Sequence, residues 1–518
     1  MKEAETQRCR EFKGRALAVS LVFLCAAQVL IGTKAEAGRI PALIPMPQAV
    51  TEKDGVFTVP ERESPVIART AVPTNEVPPE AYRLSVAADG IRVAASDDAG
   101  FFYAEETLKQ LAATNAAGGT VYPCVEIEDA PRYRWRGLLV DESRHFFGKK
   151  EILSILEHMA EFKLNVLHWH LTDDEGWRLA LDRYPRLAVR ASWVAKNPFD
   201  GKDGGQYGLF FYTRADVAEV LAFAKARHVR VMPEIDIPGH SRALLTAYPE
   251  LGCAGGGNPR EVCPGKDSTL RFIEGVLDEV CALFDSPFIH VGGDECERTG
   301  WAKCQDCRNR MEAEGLKDVK ELQSWFTRHF TDYLANKGRR LVGWDEILEG
   351  GLPAGATVMS WRGAEGGIAA AKAGHDVVMT PNRFCYFDYP QGIPGDTLQY
   401  YMWKDPPPVT LAKVYSFDPC AGIPLDRRVH VLGGQGNNWA EFTRTPAELE
   451  WKIWPRACAL AEALWTAPVV RDDADFAARC AVFRARLLAA GVNSVPLPKR
   501  FHRYRKAHPI EVRFGSDA

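Results

Sequence analysis

Short apolar runs recur along most of this chain, mostly with helical patterns between them. Gly137-Leu-Leu-Val-Asp141 is the first, followed by Lys149–Phe162, whose apolar positions repeat at helical spacing. Asn165-Val-Leu-His-Trp-His170 is the second. Arg230-Val-Met-Pro-Glu-Ile-Asp236 follows a helical stretch at Ala215–Arg227, and Phe288-Ile-His-Val-Gly292 follows another at Thr269–Phe284. Leu341-Val-Gly-Trp344, Thr357-Val-Met-Ser-Trp361, Asp376-Val-Val-Met-Thr380 and His430-Val-Leu-Gly-Gly434 bring the number to eight. Runs this continuous are what strands buried on both faces look like, and eight of them predict a (β/α)₈ barrel. A doubly wound open sheet is the alternative. Helices over Ala447–Trp465 and Asp473–Ala490 are expected to finish the chain.

Ahead of Pro131 the rhythm is different. Prolines punctuate the stretch from Ile40 onward, and Tyr82–Val86 and Gly90–Ala94 alternate as paired strands do. Gly100–Ala113 reads as a helix with Ala104, Leu108 and Leu111 on one face. The expected organisation is a small α+β domain over 38–130, a barrel over 131–466 and a helical extension over 467–518.

The first 37 residues have another character. Lys2, Arg8, Arg10, Lys13 and Arg15 precede an apolar run from Ala16 to Gly32, and Ala35-Glu36-Ala37 follows. A basic start, an apolar segment and an A-x-A site read as a cleaved export signal. The run is short of the roughly 20 apolar residues that a membrane span needs. An exported protein is expected, with no membrane attachment after cleavage; periplasm, extracellular space and a lysosome-like compartment stay open.

Composition narrows the function. The chain has 518 residues, 46% of them apolar and 25% charged, which suits a barrel plus an appendage. A formal charge of −4 offers no electrostatic footprint for nucleic acid. Thirteen Trp and 15 Tyr supply the flat faces on which sugar rings stack. Of 13 cysteines, Cys9 and Cys25 leave with the signal and the other 11 cannot all pair. Cys253 and Cys263 bracket a Gly/Pro-rich loop and are the best bridge candidate. Cys304-x-x-Cys307 has the spacing of half a zinc site, but one such pair without a second is weak evidence for metal.

In a barrel of this kind chemistry sits at the carboxyl ends of the strands. Polar and aromatic residues cluster just there. Asp141, Arg144 and His145 follow the first run, and His168-Trp169-His170 with Asp173 and Asp174 end the second. Glu234, Asp236 and His240 follow the third, and Asp294-Glu295 the fourth. Trp344-Asp345 and Trp361-Arg362 end the next two; Tyr386 and Asp388, then Trp439 and Glu441, follow the last two. Caps or rim ion pairs explain one or two such clusters, not eight. Carboxylates with several Trp and one Arg suit sugar hydrolysis, and there is neither a G-x-S-x-G elbow nor a phosphate loop. Glycosidases normally set two carboxylates on either side of the bond they cut. Neighbours such as Asp294 and Glu295 are poorly placed for that. They could instead serve one substrate jointly if its own 2-acetamido group were the nucleophile.

Four segments carry a resemblance. Arg136-Gly-Leu-Leu-Val-Asp-Glu-Ser-Arg-His145, His168-Trp-His-Leu-Thr-Asp-Asp-Glu-Gly-Trp-Arg178, Pro233-Glu-Ile-Asp-Ile-Pro-Gly-His240 and His290-Val-Gly-Gly-Asp-Glu295 occur in this order. With them, from Ile44-Pro-Met-Pro-Gln48 onward, the chain resembles family 20 of the glycoside hydrolases, the β-N-acetylhexosaminidases. The resemblance implies an exo-acting, retaining enzyme without cofactor or metal, releasing terminal N-acetylglucosamine or N-acetylgalactosamine from a glycan. It implies that Glu295 is the general acid and then the base, with a raised pKa. Asp294 would stay ionised and accept the acetamido N–H, and Tyr386 would bond the acetamido oxygen. Trp344, Trp361 and Trp439 would wall the acetyl group and stack the sugar. Arg144, Asp388 and Glu441 would bind its hydroxyls, and His240 with Asp173 would form a relay behind Glu295. The oligomeric state is open between monomer and homodimer.

Two features depart from the family pattern. Gly434-Gln-Gly-Asn-Asn-Trp439 stands where Gly-Gln-Ala-Asn-Leu-Trp is expected, and the first domain is short between Val66 and Glu80. Two other classes compete with this one. A catalytically dead amino-sugar binder should lack its acid, and Glu295 is present. A metal-dependent barrel hydrolase would use His168-x-His170 as ligands and be abolished by a chelator. A His170 hydrogen-bonded inside the barrel is the alternative role for that pair. Trp177, Trp193, Trp301 and Trp454 are expected to pack, and Asp345 with Glu346 to cap a helix.

Overall fold

The computed structural model describes residues 40–192, 209–254, 259–393, 396, 398 and 407–498. The segment read as an export signal and Trp193 lie outside them. No helix among the described residues is long and apolar enough to cross a membrane.

The amino-terminal part builds one sheet. Its strands are β1 (Ala49–Val59), β2 (Ile67–Ala71), β3 (Tyr82–Ala87), β4 (Gly90–Ala95), β5 (Ala113–Thr114) and β6 (Thr120–Asp129). They run in the order β1-β6-β3-β4-β2, with β5 on the edge of β6. Tyr82, Leu84 and Val86 alternate inward, opposite Ile91, Val93 and Ala95. A helix at Asp98–Leu111 covers this face with Ala104, Leu108 and Leu111, and its N-cap Asp97 accepts from the Gly100 amide at 2.8 Å.

All eight apolar runs become strands of one barrel. They are β7 (Trp135–Asp141), β8 (Val166–His170), β9 (Arg230–Glu234), β10 (Phe288–His290), β11 (Arg340–Trp344), β12 (Thr357–Ser360), β13 (Val377–Met379) and β14 (Val431–Asn438). Every neighbouring pair is parallel, and β14 closes onto β7, which excludes the open doubly wound sheet. One core lies inside the barrel, built from residues such as Leu139, Met232, Val342 and Met359. A larger one lies between strands and helices. Burial on both faces explains why these strands read as unbroken apolar runs.

The stretch expected as one helix at Ala447–Trp465 is two, Pro446–Ile453 and Arg456–Trp465. Pro455 divides them, because proline has no N–H to donate and its ring collides with the preceding turn. A buried network joins the sheet domain to the barrel. Lys163 donates to Asp129 and to the Tyr82 hydroxyl at 2.9 Å each, and the Trp465 indole donates to Asp129 at 2.8 Å.

No disulfide links the described cysteines, so the Cys253–Cys263 bridge expected from sequence is not formed. Both thiols belong instead to a group of four, for which the folding of two distant loops is responsible.

Candidate active site

The catalytic candidates stand on loops at the carboxyl end of the barrel. Strand β10 ends early, at His290, and Val291-Gly292-Gly293 carries the chain into Asp294-Glu295. Gly292 has φ 66°, and a Cβ there would fall 1.7 Å from Oδ1 of Asp236. Glycine is therefore what lets Asp236 come this close. Glu295 and His240 themselves adopt left-handed backbone, each with φ 46°. Such conformations cost about 1–3 kcal/mol each and persist where the surroundings enforce them.

Arg144 ties the two sides of the mouth together. Its guanidinium meets Asp173 at 2.8 Å, Asp141 and Glu175 at 3.2 Å, and Glu441 at 3.9 Å. It also lies 5.2 Å from the centre of the Trp439 ring. Asp173 accepts from His240 Nδ1 at 2.9 Å, and His240 Nε2 faces Asp294 and Glu295 at 3.6 Å each. Trp439 stands 5.6 Å from Trp344 and 6.3 Å from Tyr386, and Tyr386 stacks on Trp361 at 6.0 Å. Asp388 is buried and feels the charge of Glu441. All eleven residues singled out from sequence thus belong to one connected site.

Supporting residues were less visible. Glu234 lies inside the barrel and gathers three histidines. His170 Nδ1 bonds to its Oε2, His168 approaches at 3.0 Å and His290 at 2.8 Å. Its other oxygen accepts from the Trp344 indole at 2.9 Å, which fixes that wall. His168 and His170 are i,i+2 on one strand, so both point inward to the same carboxylate. Glu346, expected as a helix cap, accepts from the Trp361 indole at 3.0 Å. Glu175, not singled out, holds Arg144. Its only signal was an acidic run, Asp173-Asp174-Glu175, after a strand end.

The electrostatics correct one expectation. Glu295 does not have a raised pKa in the free site. The neighbouring His240 holds it below the ordinary value, and its side chain is 54% exposed. Asp294, 13% exposed, is the one pushed up, to about 6, by burial and by the charges of Glu234 and Glu295. Burial and the Asp294 charge push Glu346 up to about 9, and burial with Asp173 pushes Glu175 up to about 8. Burial disfavours charge on His240, yet Asp173 and Asp294 outweigh it and keep the ring cationic. Oδ1 of Asp294 and Oδ1 of Asp388 are buried with no hydrogen-bond partner among the described residues. Buried acceptors of this kind cost free energy unless a donor arrives. The walls are aromatic, the acids outnumber the cations, and two neighbouring carboxyls face one space.

An acid-rich, tryptophan-walled pocket at the carboxyl end of a (β/α)₈ barrel is the architecture of a sugar-cleaving hydrolase. The pattern of the glycosyl hydrolase family 20 catalytic domain matches residues 133–468, and that of domain 2 of the same family matches residues 60–130. The chain belongs to glycosyl hydrolase family 20. It is 40% identical to a β-hexosaminidase of Porphyromonas gingivalis over 453 residues, covering 83% of this chain and 56% of that protein. It is 36% identical to a β-hexosaminidase of Akkermansia muciniphila, covering 80% of this chain and 85% of that one. Among solved structures, an exo-β-N-acetylglucosaminidase of Vibrio harveyi in complex with N-acetylglucosamine superposes with a TM-score of 0.81. It is 30% identical and covers 90% of this chain and 80% of its own.

The departure at Gly436 has a local reason. A Cβ there would lie 2.7 Å from two ring atoms of Phe387. Phe387 donates its amide to the Asn437 carbonyl at 2.6 Å and follows Tyr386 directly. The small residue makes room for the segment that carries Tyr386 and Asp388.

Proposed function

We propose that the chain is an exo-acting, retaining β-N-acetylhexosaminidase that uses the substrate's own 2-acetamido group as nucleophile. The observation that carries this reading is the difference between two adjacent carboxyls. Asp294 keeps a buried oxygen without a hydrogen-bond partner among the described residues, while Glu295 stands exposed beside it. An acetamido N–H is the donor that Asp294 lacks. Accepting it aims the carbonyl oxygen at the anomeric carbon and steadies the cation that forms. Trp344, Trp361 and Trp439 enclose the acetyl group, and the Tyr386 hydroxyl donates to its oxygen. Arg144, Asp388 and Glu441 bind hydroxyls of a terminal sugar and close the pocket behind it.

Glu295 then gives its proton to the leaving oxygen as the acetamido oxygen bonds to carbon 1. In the second half, the Glu295 carboxylate takes a proton from water as that water opens the oxazolinium ring. Two displacements return the original configuration. Holding the nucleophile within the substrate exploits proximity, worth up to roughly 7–11 kcal/mol in favourable cases. Binding also reverses the proton preference of the free site. The amide N–H favours ionised Asp294, and the sugar covers Glu295 and raises its affinity for a proton. We extend the proposal to export, which rests on the basic and apolar residues of the first 37 positions.

Nuclear magnetic resonance of the first-formed sugar tests the reading. With aryl 2-acetamido-2-deoxy-β-glucoside and its galacto epimer, the β-anomer should appear first; the α-anomer would contradict the mechanism.

A further inference from the structure

Two cysteine pairs lie far apart in sequence. Cys253 and Cys263 flank one loop, and Cys304 and Cys307 begin the helix Gln305–Ala313. The fold brings all four sulfurs within 4.8 Å of one another. Cys263 Sγ lies 3.5 Å from Cys307 Sγ and 3.7 Å from Cys304 Sγ, and Cys253 Sγ lies 3.7 Å from Cys307 Sγ. A zinc–sulfur distance of about 2.3 Å in a tetrahedron sets sulfurs about 3.8 Å apart. A disulfide needs about 2.05 Å. The observed spacing is that of ligands around an ion.

The surroundings suit such an ion. Three of the four cysteines are buried, packed with Trp301 and Leu322. The turn after Cys263 packs its Gly265 closely against the backbone at the start of the helix that carries Cys307. A Cβ on Gly265 would fall 2.4 Å from the Cys307 nitrogen, so glycine permits this approach. The second pair, whose lack made Cys304-x-x-Cys307 weak evidence in sequence, is thus supplied by the fold.

We propose that Cys253, Cys263, Cys304 and Cys307 hold one structural zinc ion as a four-thiolate site. Closed tetrahedral sulfur coordination is the arrangement of structural zinc and leaves no place for substrate. Binding releases the four thiol protons to solvent. The site staples together the loops that carry the catalytic groups. Val262, next to Cys263, donates its amide to the Pro238 carbonyl at 3.0 Å, and Ser241 donates to the Arg260 carbonyl at 2.9 Å. His240 lies between those two contacts. Glu261 accepts the amides of Glu297 and Arg298 at 2.6 and 3.0 Å, just beyond Glu295.

Elemental analysis of the full-length chain, purified without chelator or metal-affinity resin, tests this. One zinc per chain is expected, released as a mercurial blocks the chain's thiols. Cys304→Ser and Cys307→Ser should each lose the zinc and lower Tm. Should those variants not fold, cobalt decides: the cobalt-loaded wild-type protein should show tetrahedral d–d and thiolate charge-transfer bands. Absence of metal with these four cysteines reduced, two disulfides joining them in a non-reducing peptide map, or stoichiometric iron would each overturn the proposal.

Discussion

Nε2 of His240 stands 3.6 Å from Oδ2 of Asp294 and 3.6 Å from Oε2 of Glu295. One cation therefore serves two carboxyls, and Asp173 anchors it from behind at 2.9 Å. Removing the cation should raise the proton affinity of both carboxyls. His240→Gln is expected to lower kcat by about 10²-fold and to move both limbs of the kcat/KM pH profile to higher pH. A profile that stays in place would remove His240 from the proton balance.

The carboxyl pair should respond unequally to neutral replacements. Glu295→Gln is expected to lower kcat about 10²–10⁴-fold on glycosides with poor leaving groups, and far less where the leaving group needs no proton. Asp294→Asn should cost about 10²–10³-fold whatever the leaving group, since its charge supports the nucleophile. Steady-state rates across an aryl series separate the two; parallel losses would contradict the division of labour.

The pH dependence follows from the pKa directions. In the free enzyme Asp294 loses its proton near pH 6, and Glu295 loses its own at lower pH. Above about pH 6 the free pair thus carries no proton to donate, so kcat/KM should fall there. The pair titrates jointly, so the limb belongs to both residues. In the complex the covered Glu295 keeps its proton to higher pH, and the alkaline limb of kcat should lie above that of kcat/KM. Coincident limbs would show that substrate does not redistribute the proton.

Much of this is legible in the amino-acid sequence alone. Strands buried on both faces are nearly uniform in hydropathy, so all eight stood out, and the chemistry could be located at their ends. Asp294-Glu295 was legible because two adjacent glycines and a strand end isolate it. What stayed hidden depends on distance across the chain. Glu234 could not be told from a rim acid, because its histidines arrive from β8 and β10. Glu295's low pKa was missed because it arises from His240, 55 positions away in sequence. The break at Pro455 was overlooked although proline announced it. The four thiols looked like two unrelated pairs for the same reason.

Gly436 offers a packing test. Gly436→Ala would press a methyl against Phe387 and against Leu460, 3.0 Å away. It should cost about 1–3 kcal/mol of stability and raise KM by displacing Tyr386. Thermal unfolding and kinetics on one sample would check both; an unchanged Tm with unchanged KM would mean the strand yields freely.

In the proposed mechanism the sugar's amide attacks its own anomeric carbon. Replacing the acetyl group stepwise by mono-, di- and trifluoroacetyl weakens that oxygen as a nucleophile while barely altering its size. If the amide attacks, kcat should fall progressively, by at least about tenfold over the series, or about 1.4 kcal/mol. A flat series would mean that something other than the substrate makes the first bond.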